Sequence, residues 1–231
     1  MVTISKVSSI AGQAAYKLSL IVMSAGIVLT AGVAAAAEPG QHDMHDMHSM
    51  HDMHSMHDHH AMPAQHGITA RSVESYSIPG VKLVDMNRAE VNLRDVLDGQ
   101  LPVILNFIYT SCTAICPVTT ATFQQVQQEL GAGRDKVRMV TISIDPENDT
   151  PAKLKEYAGR YNAGPQWKML TGTVENSVAV QRAFGVYNGD KMNHKPVTFL
   201  RPKGADKSWV RLEGFASAAD IVAELGKLNS K

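Results

Sequence analysis

The chain has two cysteines, and they lie close together. "YTSCTAICP" sets Cys112 and Cys116 at C-x-x-x-C spacing, directly after the apolar run "LPVILNFIY" (101–109) and at the start of a segment with helical periodicity. A helix N-terminus offers unpaired backbone N–H groups and the positive end of the helix dipole. Both favour thiolate, the form that binds metals and attacks disulfides. If the segment is helical at both residues, they share one face with Cα atoms roughly 6 Å apart. That separation permits a disulfide or two sulfurs on one metal. The pair therefore reads as a disulfide, a redox couple or part of a metal site. A structural staple ranks last, because so short a loop constrains the unfolded chain little. Two inert core thiols would sit on an apolar helix face, and these sit at a strand-to-helix junction.

Past residue 66 the sequence holds one histidine, His194, in "KMNHKPVTFL". A lone loop histidine is ordinarily just solvated, but Pro196 follows it at the start of a predicted strand. In a thioredoxin-like fold, a cis-proline at the start of that strand packs beside the cysteine pair. Pro196 precedes Gly204 of the next turn by a spacing similar to thioredoxin's. On that alignment His194 reaches the cysteines from an opposite loop. Two thiolates and one imidazole form a small, soft, partly exposed site, which suits Cu(I) and also admits zinc. A closed structural zinc site takes four ligands, and three are evident here, so copper is the better reading.

A second group of ligands runs ahead of the domain. In "HDMHDMHSMHDMHSMHDHH", His42, His45, His48, His51, His54, His57, His59 and His60 alternate with Met44, Met47, Met50, Met53 and Met56. Thioethers suit Cu(I), and imidazoles suit Cu(II) as well. Histidine alone would fit nickel or zinc equally; the methionines favour copper. Without aliphatic or aromatic residues the tract cannot bury a core, and it is predicted to be disordered without metal. The competing readings are a low-complexity spacer and a cloning artefact, and a tag would be pure histidine. The tract is expected to hold several copper ions more weakly than the domain.

These residues need a scaffold and a compartment. Acidic and basic residues balance at 22 each, and the basic ones are scattered, which argues against a nucleic-acid partner. Lys6 and Lys17 are the charges of the first 37 residues, and "LSLIVMSAGIVLTAGVAAAA" ends in an A-x-A pattern at Ala35–Ala37. Residues 1–37 thus read as a secretory signal peptide. The apolar run is about the ~20 residues of a membrane helix, so an uncleaved anchor is the alternative, and only then is the membrane a partner. No cysteine lies near the cut, which disfavours a lipid anchor. The expected location is the periplasm. Residues 38–66 are the tract and its linker, and residues 67–231 are one domain.

Inside the domain, "VKLVDM" (81–86), "LPVILNFIY" (101–109) and "VRMVTISI" (137–144) are predicted strands. A helix from Cys116, with Pro117 in its first turn and Gly131 as a left-handed cap, makes a βαβ unit with a right-handed crossover. Thr150 and Pro151 open a second helix. "WKMLTG" is a short strand and "TVENSVAVQRAFGVY" a third helix. "KPVTFLRP" and "SWVRLEGF" form a hairpin, and Ser217 caps a last helix carrying Ile221, Leu225 and Leu228 on one face. The fold class is α/β, with a central mixed sheet flanked by helices that starts parallel and ends in an antiparallel hairpin.

"NFIYTSCTAICP", "SIDPENDTPAKLKEYAGRYNAGPQWKMLTG" and the "NH" before a strand together resemble the Sco/SenC proteins, over about residues 76–228. The resemblance implies a thioredoxin-like fold and copper held by Cys112, Cys116 and His194. It implies service in assembling the dinuclear copper site of cytochrome c oxidase, as copper donor, thiol reductant or both. The copper-receiving partner would be cytochrome c oxidase subunit II, and a thioredoxin-like reductant is a further candidate partner. Asn193 stands where the family usually has Asp, and Pro196 where typical members lack proline; both departures raise the prospect of thiol–disulfide exchange. Asp145 and Asp149 of "DPENDT" read as a turn plus a helix cap, with Asp145 a candidate for tuning the site's charge. Three functions compete: a metallochaperone, a thiol–disulfide oxidoreductase with Cys112 and Cys116 as its redox pair, and a periplasmic copper buffer working through the tract. The first is favoured, because oxidoreductases of this fold generally carry C-x-x-C and need no histidine ligand.

Overall fold

The computed structural model describes residues 67–97, 100–204 and 207–230. The predicted signal peptide and the His/Met tract lie outside the described residues. The chain enters as β1 (Gly67–Ser75), followed by β2 (Lys82–Asp85), β3 (Glu90–Asn92) and the short helix α1 (Leu93–Leu97). Then come β4 (Val103–Ile108), α2 (Ile115–Leu130), β5 (Arg138–Ser143), α3 (Pro151–Arg160), β6 (Trp167–Thr171) and α4 (Val174–Ala183). The chain closes with β7 (Val197–Arg201), β8 (Ser208–Phe215) and α5 (Ala218–Asn229). The described strands make one sheet in the order β1-β8-β7-β4-β5-β6-β2-β3.

β4 is the axis of this sheet. It pairs in parallel with β5 and antiparallel with β7, and all six of its residues are buried. Period-two alternation sends Ile104 and Ile108 to one face, where they meet Phe123 of α2, Leu154 and Tyr157 of α3, and Ile221 and Leu225 of α5. Val103, Leu105 and Phe107 face the other way, against Leu93 and Val96 of α1 and Val180 of α4. A strand covered on both faces must be apolar throughout, which is why 101–109 reads so clearly in the sequence.

The helix starts follow their side chains. Thr150 accepts from the Lys153 N–H with Pro151 in the first turn, and Ser217 and Asp220 form a reciprocal capping box. The sheet departs from expectation at its rims: its first strands pair antiparallel as the β2–β3 hairpin, and β1 adds an edge strand against β8. β1 escaped notice because most of its side chains are exposed, so it carries no apolar alternation. Gly131 does end α2 with φ of 50°, but its ψ of −124° lies outside the left-handed helical well, and the chain continues into a 3-10 turn.

Gly214 shows a stricter demand. Its φ is +89°, and a Cβ there would sit 2.5 Å from the Gly67 carbonyl oxygen, beside an irregularity in the β1–β8 ladder. Both the backbone conformation and the close approach require glycine. Gly214→Ala is expected to lower stability by about 1–3 kcal/mol, read as a lower urea midpoint with an unchanged slope.

Candidate metal centre

The cysteine turn is built between the end of β4 and the start of α2. Tyr109 is buried, and its carbonyl accepts from the Cys112 N–H at 3.2 Å. Ala114, at the N-cap of α2, has no side-chain acceptor to offer the helix. Cys112 supplies one instead: its Sγ accepts from the Cys116 N–H at 3.5 Å. Cys112 thus lies in the turn before the helix and Cys116 within its first turn, so the pair is not carried on one helical face as the spacing suggested. The sulfurs are nonetheless neighbours, both thiols are free, and both are buried, so the pair is not partly exposed as expected.

Their environments differ. Burial pushes Cys112 up, but the backbone N–H groups of Cys116 and Ala114, with the Cys116 thiol and the Tyr109 hydroxyl, outweigh it and hold Cys112 below the ordinary thiol range. Cys116 is fully buried, and burial first, then the Cys112 thiol, pushes it up to about 12. Tyr109 is itself pushed up to about 12, by burial and by its hydrogen bond to Cys112.

The D-P-x-x-D segment anchors both loops of the site. Asp149 is completely buried and accepts from the Thr110 N–H at 3.1 Å, the Thr110 hydroxyl at 2.5 Å and the Ser143 hydroxyl at 2.6 Å. It is therefore the anchor of the cysteine turn, while Thr150 does the capping expected of this segment. Asp145 makes the expected turn, its carbonyl accepting from the Asn148 and Asp149 N–H groups. Its carboxylate pairs with Lys191 at 2.6 Å, which in turn lies 5.6 Å from the Tyr109 ring centroid. Met192 places its Sδ 3.5 Å from the Tyr109 hydroxyl.

His194 follows the 3-10 turn Lys191–Asn193, half-buried, with Nε2 at 3.0 Å from the Phe107 carbonyl oxygen. A carbonyl can only accept, so Nε2 carries the proton and the neutral ring keeps its lone pair on Nδ1. Burial holds the imidazole below its ordinary range, against the opposing Phe107 hydrogen bond. The structure thus brings Cys112 and Cys116 together and leaves His194 on the neighbouring loop. Among the described residues, no three His, Cys, Asp or Glu side chains gather closely enough to hold a metal. Every described peptide bond is trans, so Pro196 is not the cis-proline of the thioredoxin comparison. Sequence reading missed Tyr109, Lys191 and Met192. The signal for the last was a thioether two residues before the histidine.

A cysteine pair between a central strand and the following helix, on a mixed sheet covered by helices, defines a thioredoxin-like domain. The sequence model described as SCO1/SenC matches residues 80–224, and the chain belongs to that family. It is 38% identical over 76 residues to the SCO1 protein homolog of Bacillus subtilis, covering 32% of this chain and 39% of that protein. It is 33% identical over 111 residues to a putative copper-binding protein of Stutzerimonas stutzeri, covering 48% and 52%. These alignments span only about two fifths to one half of those relatives. The solved structure of Bradyrhizobium japonicum ScoI with copper bound superposes with a TM-score of 0.55 at 27% identity, over 66% of this chain and 99% of that one. Among the described residues no helix is long and apolar enough to cross a membrane.

The asymmetry of the thiols gives a direct expectation. With metal-free protein near pH 7.5, iodoacetamide should modify Cys112 well before Cys116. Raising the pH should speed Cys112 first, because its thiolate forms at lower pH. Timed quenching and peptide mass spectrometry read the order; equal rates at the two cysteines would contradict it.

Proposed function

We propose that this chain is a periplasmic copper metallochaperone that binds the ion through Cys112, Cys116 and His194 and serves assembly of the dinuclear copper site of cytochrome c oxidase. The observation that carries the reading is the pair of adjacent cysteines at the mouth of a helix, one sulfur accepting a helix N–H, in a SCO1/SenC domain. The donor set fits the cargo: two thiolates suit Cu(I), and a neutral imidazole with a free Nδ1 lone pair adds affinity for Cu(II). In this reading the turn carrying His194 closes onto the sulfurs when copper binds. Residues 1–37 act as the export signal, subunit II of the oxidase receives the copper, and a thioredoxin-like reductant keeps the thiols reduced.

The test is a copper titration, followed by the thiolate-to-Cu(II) absorption, on protein lacking residues 41–60. Cys112→Ser and Cys116→Ser should each abolish the band and the tight equivalent. His194→Ala should weaken Cu(II) most and Cu(I) less. Parental binding by all three variants would refute the ligand set.

The tract is assigned the role of loading this site. Gly67, where the described chain begins, lines a groove with Pro117 and Val118, next to Cys116. From His60 to Gly67 the chain can span at most about 25 Å, so copper on the tract has a high effective concentration at the thiols. Each ion held there must order a floppy segment, which weakens its binding. Deleting residues 41–60 should remove the extra copper equivalents and slow loading when copper is scarce, with the tight affinity unchanged. Loss of the tight site itself would mean that the tract supplies ligands to it.

One observation favours a second reading. A thiol held low beside one held high suits exchange. The Cys112 thiolate would attack a partner disulfide and release one partner thiolate. Cys116 would then displace the second, leaving a Cys112–Cys116 disulfide and passing two electrons to the partner. Copper buffering by the tract alone is the remaining alternative.

A further inference from the structure

We propose that Met192 is a soft Cu(I) ligand beside the dithiol, an accessible thioether through which the ion reaches and leaves Cys112 and Cys116. The inference rests on the copper reading of the cysteine pair. Its starting point is an anomaly of burial. Met192 is 70% exposed, more than any other large apolar side chain among the described residues. Core packing therefore cannot account for it.

Nor is the residue loosely placed. Its N–H donates to the Asp190 carboxylate at 2.9 Å, and its neighbour Lys191 is pinned to Asp145. The held thioether meets the Tyr109 hydroxyl at 3.5 Å, and the carbonyl of the same residue accepts from the Cys112 N–H at 3.2 Å. A single residue, Tyr109, thus joins an exposed soft sulfur to the turn that carries a buried one. Thioether sulfur binds Cu(I) without first losing a proton, whereas a thiol must be deprotonated to bind metal. Met192 can accordingly take the ion from solvent before the buried pair is ready. The Cu–S bond to Met192 is then replaced by Cu–S bonds to Cys112 and Cys116, each sulfur releasing its proton to water. Copper stays Cu(I) throughout, and unloading runs the exchange backwards.

The experiment uses the full chain with 13C-methyl methionine and Cu(I) added anaerobically. The Met192 resonance is the one missing from Met192→Leu, an exposed substitution that leaves the fold intact. It is expected to shift with added Cu(I) in the Cys112→Ser/Cys116→Ser double variant, where the ion cannot pass on, and to return to its metal-free position in the parent once copper protects both thiols. Met192→Leu should still protect both thiols from alkylation by copper, but load more slowly. A Met192 resonance that stays still in the double variant, while copper protects the thiols of the parent, overturns the proposal and leaves the dithiol site standing. Unslowed loading of the thiols in Met192→Leu overturns it too, since the ion would then reach the pair without the thioether. Thiols that remain open to alkylation in copper bring down the underlying reading and this inference together.

Discussion

The site depends on one buried carboxylate. Asp149 has no exposure to solvent, and its oxygens are met by the backbone and hydroxyl of Thr110 and by the hydroxyl of Ser143. An acidic group so placed is tolerable only when its oxygens are satisfied. The donors come from two different stretches of chain: Thr110 opens the cysteine turn and Ser143 ends β5. The carboxylate thus sets where the turn lies against the sheet, and Cys112 and Cys116 follow from it. Asp145, four residues earlier, performs the matching task for the loop of Met192 and His194 through Lys191. A short acidic segment after β5 therefore brackets both halves of the candidate site.

That bracket explains how two neighbouring thiols come to differ. The turn leaves Cys112 at the mouth of α2, where helix N–H groups reach its sulfur. The first helical turn draws Cys116 inward, where Thr120 accompanies it, its hydroxyl bonded to the Cys116 carbonyl at 2.7 Å and to Tyr157 at 3.0 Å. The difference is chiefly one of position along a helix start, with the Asp149 charge adding to the rise at Cys116.

Much of this was legible in the sequence. β4, β5 and the α3 and α5 caps were readable because burial on two faces and N-cap chemistry leave local signatures. The C-x-x-x-C pair was readable because cysteine is so scarce. β1 was not, since an exposed edge strand is specified by its partner β8 and by a glycine at position 214, not by its own pattern. The roles of Asp149 and Tyr109 were hidden for a similar reason. Each is defined by contacts across the chain, Asp149 with Thr110 and Tyr109 with Met192, which no local spacing records. His194 was found by scarcity, but its hold on the Phe107 carbonyl was not foreseen.

The sheet also separates the two tryptophans of the chain. Trp167 lies in the layer of the cysteines, 5.7 Å from Phe123 by ring centroids, with its indole N–H donated to the Thr141 hydroxyl at 2.9 Å. Trp209 lies in the opposite layer, edge-on to Phe184 and beneath the Arg201 guanidinium. Each face therefore carries its own intrinsic fluorophore in a distinct polar setting. Emission from Trp167 reports on the layer that holds the cysteines and emission from Trp209 on the far one, so single-tryptophan variants would divide the protein optically along the plane of its sheet.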